Sequence, residues 1–170
     1  RNTRTGESRL LLKEGGSWTP MDFSPDGKEL LVMKYVSAAE SYPGAVNVET
    51  GKLEMFPVDG GKASFGRFAF APDGKGVYFI SDEPLDGQAQ EFESLRYHDI
   101  NTNQLRRVGP VIDWDVQGFD ISQDGSRLAY TSNEDGITRL RVLALPSMQE
   151  VALPELPIGV ISGASFSPDG

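Results

Sequence analysis

Four short stretches recur along this 170-residue chain: F-S-P-D-G at 23–27, F-A-P-D-G at 70–74, I-S-Q-D-G at 121–125 and F-S-P-D-G again at 166–170. They start 47, 51 and 45 residues apart. Self-similarity at such a period outranks other signals, because each copy must be one supersecondary unit that buries its apolar surface against its neighbours. The register extends beyond the motif. Met21 and Phe23, Phe68 and Phe70, Phe119 and Ile121, and Ala164 and Phe166 alternate just before each turn, as the residues of a half-buried strand do. After each of the first three turns comes a short β-rich run: ELLVMKY, GVYFISD and RLAYTSN.

The turn between these strands has a mechanism. Proline presets φ at its second position, aspartate tolerates the third, and glycine accepts the left-handed conformation that follows. The repeated pairs Asp26-Gly27, Asp73-Gly74, Asp124-Gly125 and Asp169-Gly170 are therefore read as structural turns. The second half of each unit repeats as well. NVETGKLEMF (47–56), DINTNQLRRV (99–108) and, more loosely, LALPSMQEVAL (143–153) place a turn between a third and a fourth strand, whereas RNTRTGESRLLL (1–12) matches that second half alone.

Four strands per unit at this period predict an all-β chain, a partial β-propeller. Complete blades are expected at roughly 20–65, 67–115 and 117–160. Residues 1–18 read as the outer strand of a preceding blade and 163–170 as the inner strand of the next. Propellers close a ring of about four to eight blades, so the chain is expected to be an excerpt of a longer polypeptide that carries the rest. Two copies closing one ring, or other self-association through open edges, is the alternative.

Composition narrows the function. With 16 basic and 25 acidic residues the formal charge is −9, which repels nucleic acid and anionic membranes. Neither is expected as a partner. The apolar runs L-L-V-M and V-Y-F-I fall far short of the roughly 20 residues that cross a bilayer, and no leader opens the chain. The absence of cysteine removes disulfides, thiolate metal sites and a cysteine nucleophile. The compartment stays open between cytoplasm and periplasm of a bacterial-type cell.

Candidate chemistry is sparse. The single histidine, His98, lies in a predicted third strand, and no G-x-S-x-G accompanies it to supply a nucleophile elbow. Asp99-Ile100-Asn101-Thr102-Asn103 imitates the start of a calcium loop but has Gln104 and Pro110 at the sixth and twelfth positions, where that loop needs Gly and Glu. A solvated turn equivalent to Thr50-Gly51 is the better reading. Asp113 and Asp115 are read as solvent-facing carboxylates on a strand, bracketing a packed Trp114. The connection 82–94, with five acidic residues, is the longest within a unit and belongs at a rim or channel mouth. No catalytic residue, metal ligand or cofactor is assigned to the chain.

The copies FSPDGKELLV, FAPDGKGVYF and ISQDGSRLAY resemble the repeats of TolB-like propellers and of the prolyl oligopeptidase family of serine peptidases. The stretches 114–145 and 156–170 are similar to the dipeptidyl-peptidase and acylaminoacyl-peptidase branch. That resemblance implies a non-catalytic propeller that gates and selects peptide substrates for an α/β-hydrolase domain in the same polypeptide, with the catalytic Ser, Asp and His on that domain. Acidic pairs occur at Asp82-Glu83 and Glu134-Asp135, but neither is the Glu-Glu motif of the dipeptidyl branch, so no substrate-binding residue is carried over. The alternative is a TolB-like, non-enzymatic propeller that binds a protein partner.

Overall fold

The computed structural model describes residues 3–168; Asp169 and Gly170 of the fourth turn lie outside them. The described residues form twelve strands and no helix, so no helix is long and apolar enough to cross a membrane. The strands make three four-stranded antiparallel sheets, each in sequential order. Blade I comprises β1 (Ser17–Phe23), β2 (Glu29–Ser37), β3 (Glu40–Asn47) and β4 (Leu53–Met55). Blade II comprises β5 (Phe65–Phe70), β6 (Gly76–Ser81), β7 (Ser94–Asp99) and β8 (Gln104–Arg107). Blade III comprises β9 (Val116–Ile121), β10 (Arg127–Glu134), β11 (Ile137–Ala144) and β12 (Gln149–Glu150). The architecture is the all-β partial propeller expected from the repeat.

The cores lie between blades, not within them. Leu31, Phe65, Phe68, Val77 and Phe79 fill the space between blades I and II, with Phe68 and Phe79 stacked at 5.6 Å between ring centroids. Tyr78, Ile80, Leu95, Val116, Phe119, Leu128, Tyr130 and Leu143 fill that between II and III. Blade II is covered on both faces, so every residue of β6 is buried. Val77 and Phe79 turn toward blade I, Tyr78 and Ile80 toward blade III. This is why V-Y-F-I reads as a continuous apolar run where a one-sided strand would alternate.

Each first strand pairs with the second through a register shift: between Pro20 and Phe23 in β1, between Phe65 and Phe68 in β5, and opposite Thr131 and Ser132 in β9. Such a bulge bends the strand and increases its twist; it lies nearer the turn in blade I than in blades II and III.

Side chains of blade I are bonded to the backbone of β5 in blade II. The Phe65 N–H donates to Ser41 Oγ and the Phe70 N–H to Asp22 Oδ2, both at 2.9 Å. The pattern returns 96 residues later, where the Ile161 N–H donates to Thr138 Oγ1 at 3.0 Å and the Phe166 N–H to Asp120 Oδ2 at 2.9 Å. Residues 161–166 therefore sit on blade III as β5 sits on blade I, although no ladder partner lies beside them among the described residues.

At the other flank, Gly16 turns the chain at a φ of 115° and β1 opens at Ser17, so Ser17 and Trp18 belong to blade I. Residues 6–14 have no ladder partner among the described residues. They lie against the outer turn of blade I, where the Arg9 guanidinium donates to the carbonyls of Val48 and Glu49.

Candidate functional site

In an antiparallel meander, the turns joining strands one to two and three to four fall at one end of a blade. The connections joining strands two to three and blade to blade fall at the other. The molecule consequently has a turn face and a connector face.

The Asp-Gly turns line the turn face. Gly27, Gly74 and Gly125 all have φ near +70°, and the N–H of each donates at 2.8 Å to the carbonyl of Ser24, Ala71 and Ser122 respectively. Asp26 accepts from the Ser24 hydroxyl at 2.8 Å and from the Lys28 N–H at 3.1 Å. These bonds hold its carboxyl at about 2, against an ordinary 3.8. Asp124 is held at about 2 by the Ser126 N–H, then by the hydroxyls of Ser122 and Ser126. In blade II, Ala71 stands where the other blades have serine, and Asp73 keeps only the Lys75 N–H bond of this set, at 3.0 Å. The turns also touch one another. A Cβ on Gly125 would lie 3.1 Å from Pro72, and one on Gly74 would lie 3.8 Å from Pro25, so each proline packs beside the glycine of the following turn.

The third-to-fourth turns share this face. Asp99 accepts from the N–H groups of Asn101 and Thr102 at 2.9 and 2.8 Å, and Asn103 takes the left-handed conformation (φ 55°). Asn47 and Gly51 fill the same roles in blade I. The calcium-loop imitation is thus a capped turn equivalent to Thr50-Gly51. His98 Nε2 lies 2.9 Å from Asn103 Oδ1, which ties the histidine to that turn.

The connector face carries a second set of acidic groups. The Ser64 N–H donates to Asp82 at 2.7 Å, the Ser64 hydroxyl to Glu93 at 2.5 Å, and the Glu93 N–H to Asp115 at 2.9 Å. Burial raises the Glu93 carboxyl above the usual range; the Ser64 bond opposes this and the charges of Asp115 and Asp82 add to it. Among the described residues, no three His, Cys, Asp or Glu side chains converge as a metal-binding group.

The 82–94 connection is not a uniformly solvated loop. Glu83 is buried, its carboxyl raised by that burial and partly restored by the Arg96 charge. Arg96 is fully buried; its Nη2 donates to the Glu83 carbonyl at 2.5 Å and its Nε to Ser94 Oγ at 3.2 Å. Only the tip, where Leu85 pairs with Gln88 around Asp86-Gly87, is a free-standing turn.

One sequence reading needs correction. Asp113 and Trp114 lie in a bend, not a strand, and Trp114 is 41% exposed, not packed. The strand begins only at Val116, after Asp115 has turned to accept the Glu93 N–H. The Glu134-Asp135 pair is divided by its hairpin. Asp135 and Gly136 form a two-residue turn with both φ positive, the preferred Asp-Gly geometry, while Glu134 bonds Arg141 Nη2 at 2.7 Å and Ser132 Oγ at 2.8 Å.

Residue patterns did not reveal Asp22 and Asp120 as blade-to-blade acceptors or Arg96 as the buried anchor of 82–94. The one available signal was the aspartate four residues before the turn aspartate, in D-F-S-P-D-G and D-I-S-Q-D-G.

Comparison with known proteins places the fold. A putative TolB from Agrobacterium tumefaciens superposes over 95% of this chain and 58% of its own, with a TM-score of 0.71 and 17% identity. A puromycin-hydrolyzing peptidase of Mycobacterium tuberculosis matches over 91% of this chain and 25% of its own (TM-score 0.68, 20% identity), and a prolyl endopeptidase structure over 84% and 20% (TM-score 0.63, 18% identity). The chain thus spans well under two thirds of each of these proteins. No protein-family model and no curated protein sequence matches it.

Proposed function

We propose that this chain is the non-catalytic propeller part of a serine peptidase of the prolyl oligopeptidase family, gating and selecting peptide substrates for an α/β-hydrolase domain outside it. The observation that carries the reading is the likeness to the puromycin-hydrolyzing peptidase, in which nearly all of this chain corresponds to a quarter of a longer polypeptide. The connector face suits the role. Its 82–94 connection is held by Arg96, and its Glu93 carboxylate is already strained by burial beside Asp82 and Asp115, so a cationic peptide amino terminus would be favourably received there.

The likeness to TolB propellers supports the second reading, a binding propeller without chemistry. The two separate in one experiment on the full-length protein encoded by the native reading frame. Labelling by a fluorophosphonate serine probe, with peptide cleavage that falls steeply as substrates lengthen, is the expected result. Absence of both labelling and cleavage in the folded protein overturns the peptidase reading and favours the binding propeller.

A further inference from the structure

On the turn face, blades II and III leave a groove of about 500 Å³ between them, within the range of ligand sites. Its floor is Tyr78 and Tyr97, with ring centroids 4.8 Å apart, and its far wall in blade III includes Leu145 and Met148. Both tyrosines are more than nine-tenths buried. Neither hydroxyl has a hydrogen-bond partner in the protein, and neither is sealed from solvent. Gly76 permits this placement, since a Cβ there would lie 2.4 Å from the Tyr97 hydroxyl.

Arg106 completes the groove. Its guanidinium stacks 4.8 Å above the Tyr97 ring and has neither an ion pair nor a hydrogen bond. The carboxylates at the rim are engaged elsewhere: Asp73 pairs with Lys75 at 3.6 Å, and Asp124 accepts from Ser122 and Ser126. The groove therefore holds a guanidinium with no direct ion pair and two unused phenolic donors beside an apolar wall, with the Asp73 and Asp124 carboxylates at its rim. That combination complements a carboxylate attached to an apolar group.

We propose that this groove binds the C-terminal residue of a peptide, with Arg106 taking the carboxylate and the Tyr78–Tyr97 floor receiving an apolar side chain. A peptide end suits it better than a free acid, because the groove continues from Arg106 across to blade III. There Gln123 lines the wall that would meet the residue preceding the terminus. The site is independent of the hydrolase reading, since none of its residues lies on the connector face.

The test is calorimetric titration of the intact protein with N-acetyl-Ala-Ala-Phe as the free acid and as its C-terminal amide. The acid is expected to bind about tenfold more tightly than the amide, one charge-assisted pair's worth of affinity. Arg106→Gln should erase that difference, and Arg106→Lys should restore part of it, with unfolding midpoints unchanged. Equal binding of acid and amide, an acid preference that survives in Arg106→Gln, or no saturable binding at millimolar peptide overturns the proposal. Phenylacetate competing as well as the tripeptide also overturns it, by assigning the groove to small acids.

Discussion

Single carboxylates in this chain work in opposite directions. Asp26 and Asp124, held at about 2, bind protons less readily folded than unfolded. Their contribution is complete above pH 4 and is lost as the pH falls through about 2. Glu93 has the reverse sign. Its raised carboxyl penalises the folded state wherever it is ionised, and the penalty disappears below the ordinary glutamate range. Glu93→Gln, which keeps an acceptor for the Ser64 hydroxyl, is therefore expected to raise the unfolding midpoint at pH 7, with the gain vanishing near pH 4. A pH series of thermal melts checks both signs. At Gly125 the backbone is left-handed and Pro72 stands 3.1 Å from a prospective Cβ. Gly125→Ala should cost about 1–2 kcal/mol by urea titration, from the left-handed strain alone, and more if Pro72 cannot shift.

At the scale of strands and turns, the aspartates of β1 and β9 carry a separable part of the stability. Asp22→Ala leaves the Phe70 N–H without its acceptor and is expected to cost about 1–3 kcal/mol. Asp22→Asn, which retains a carbonyl oxygen, should recover much of it in the same denaturation assay. Strand β6 is more demanding, because it has no solvent face. Ile80→Ala should cost about 2–5 kcal/mol. How much of this was readable in advance follows from the range of the interactions. The Asp-Gly turns and the order of strands within a blade depend on neighbours a few residues away, so motif and alternation reveal them. The Asp22–Phe70 bond spans 48 residues, and the burial of Glu83 depends on Arg96 folding back beneath its own loop. Trp114 misled because alternation was extended through a bend. The Tyr78–Arg106 groove was unreadable for a related reason: its walls come from two blades, and each wall alone resembles an ordinary strand end.

Across the described residues, blade II is covered on both sides, whereas blades I and III each have one face without a neighbouring sheet. Val111, Ile158 and Val160 are among the large apolar side chains left exposed. The 170-residue chain on its own is expected to self-associate, with a mass by light scattering that rises with concentration; a constant monomer mass across a hundredfold range would refute this. The repeated pair of blade-to-blade bonds bears on how such proteins change size. In blade I the acceptors, Ser41 and Asp22, are supplied by the blade itself, and the donors, two backbone N–H groups, are supplied by whatever strand comes next. Because any non-proline residue can donate, a unit that follows blade I or blade III meets a junction that already fits, whereas blade II, with Ala69 in the aspartate's place, offers no such acceptor. Nothing in such a junction counts its neighbours, and the number of units in the closed ring is left to the geometry of the circle itself.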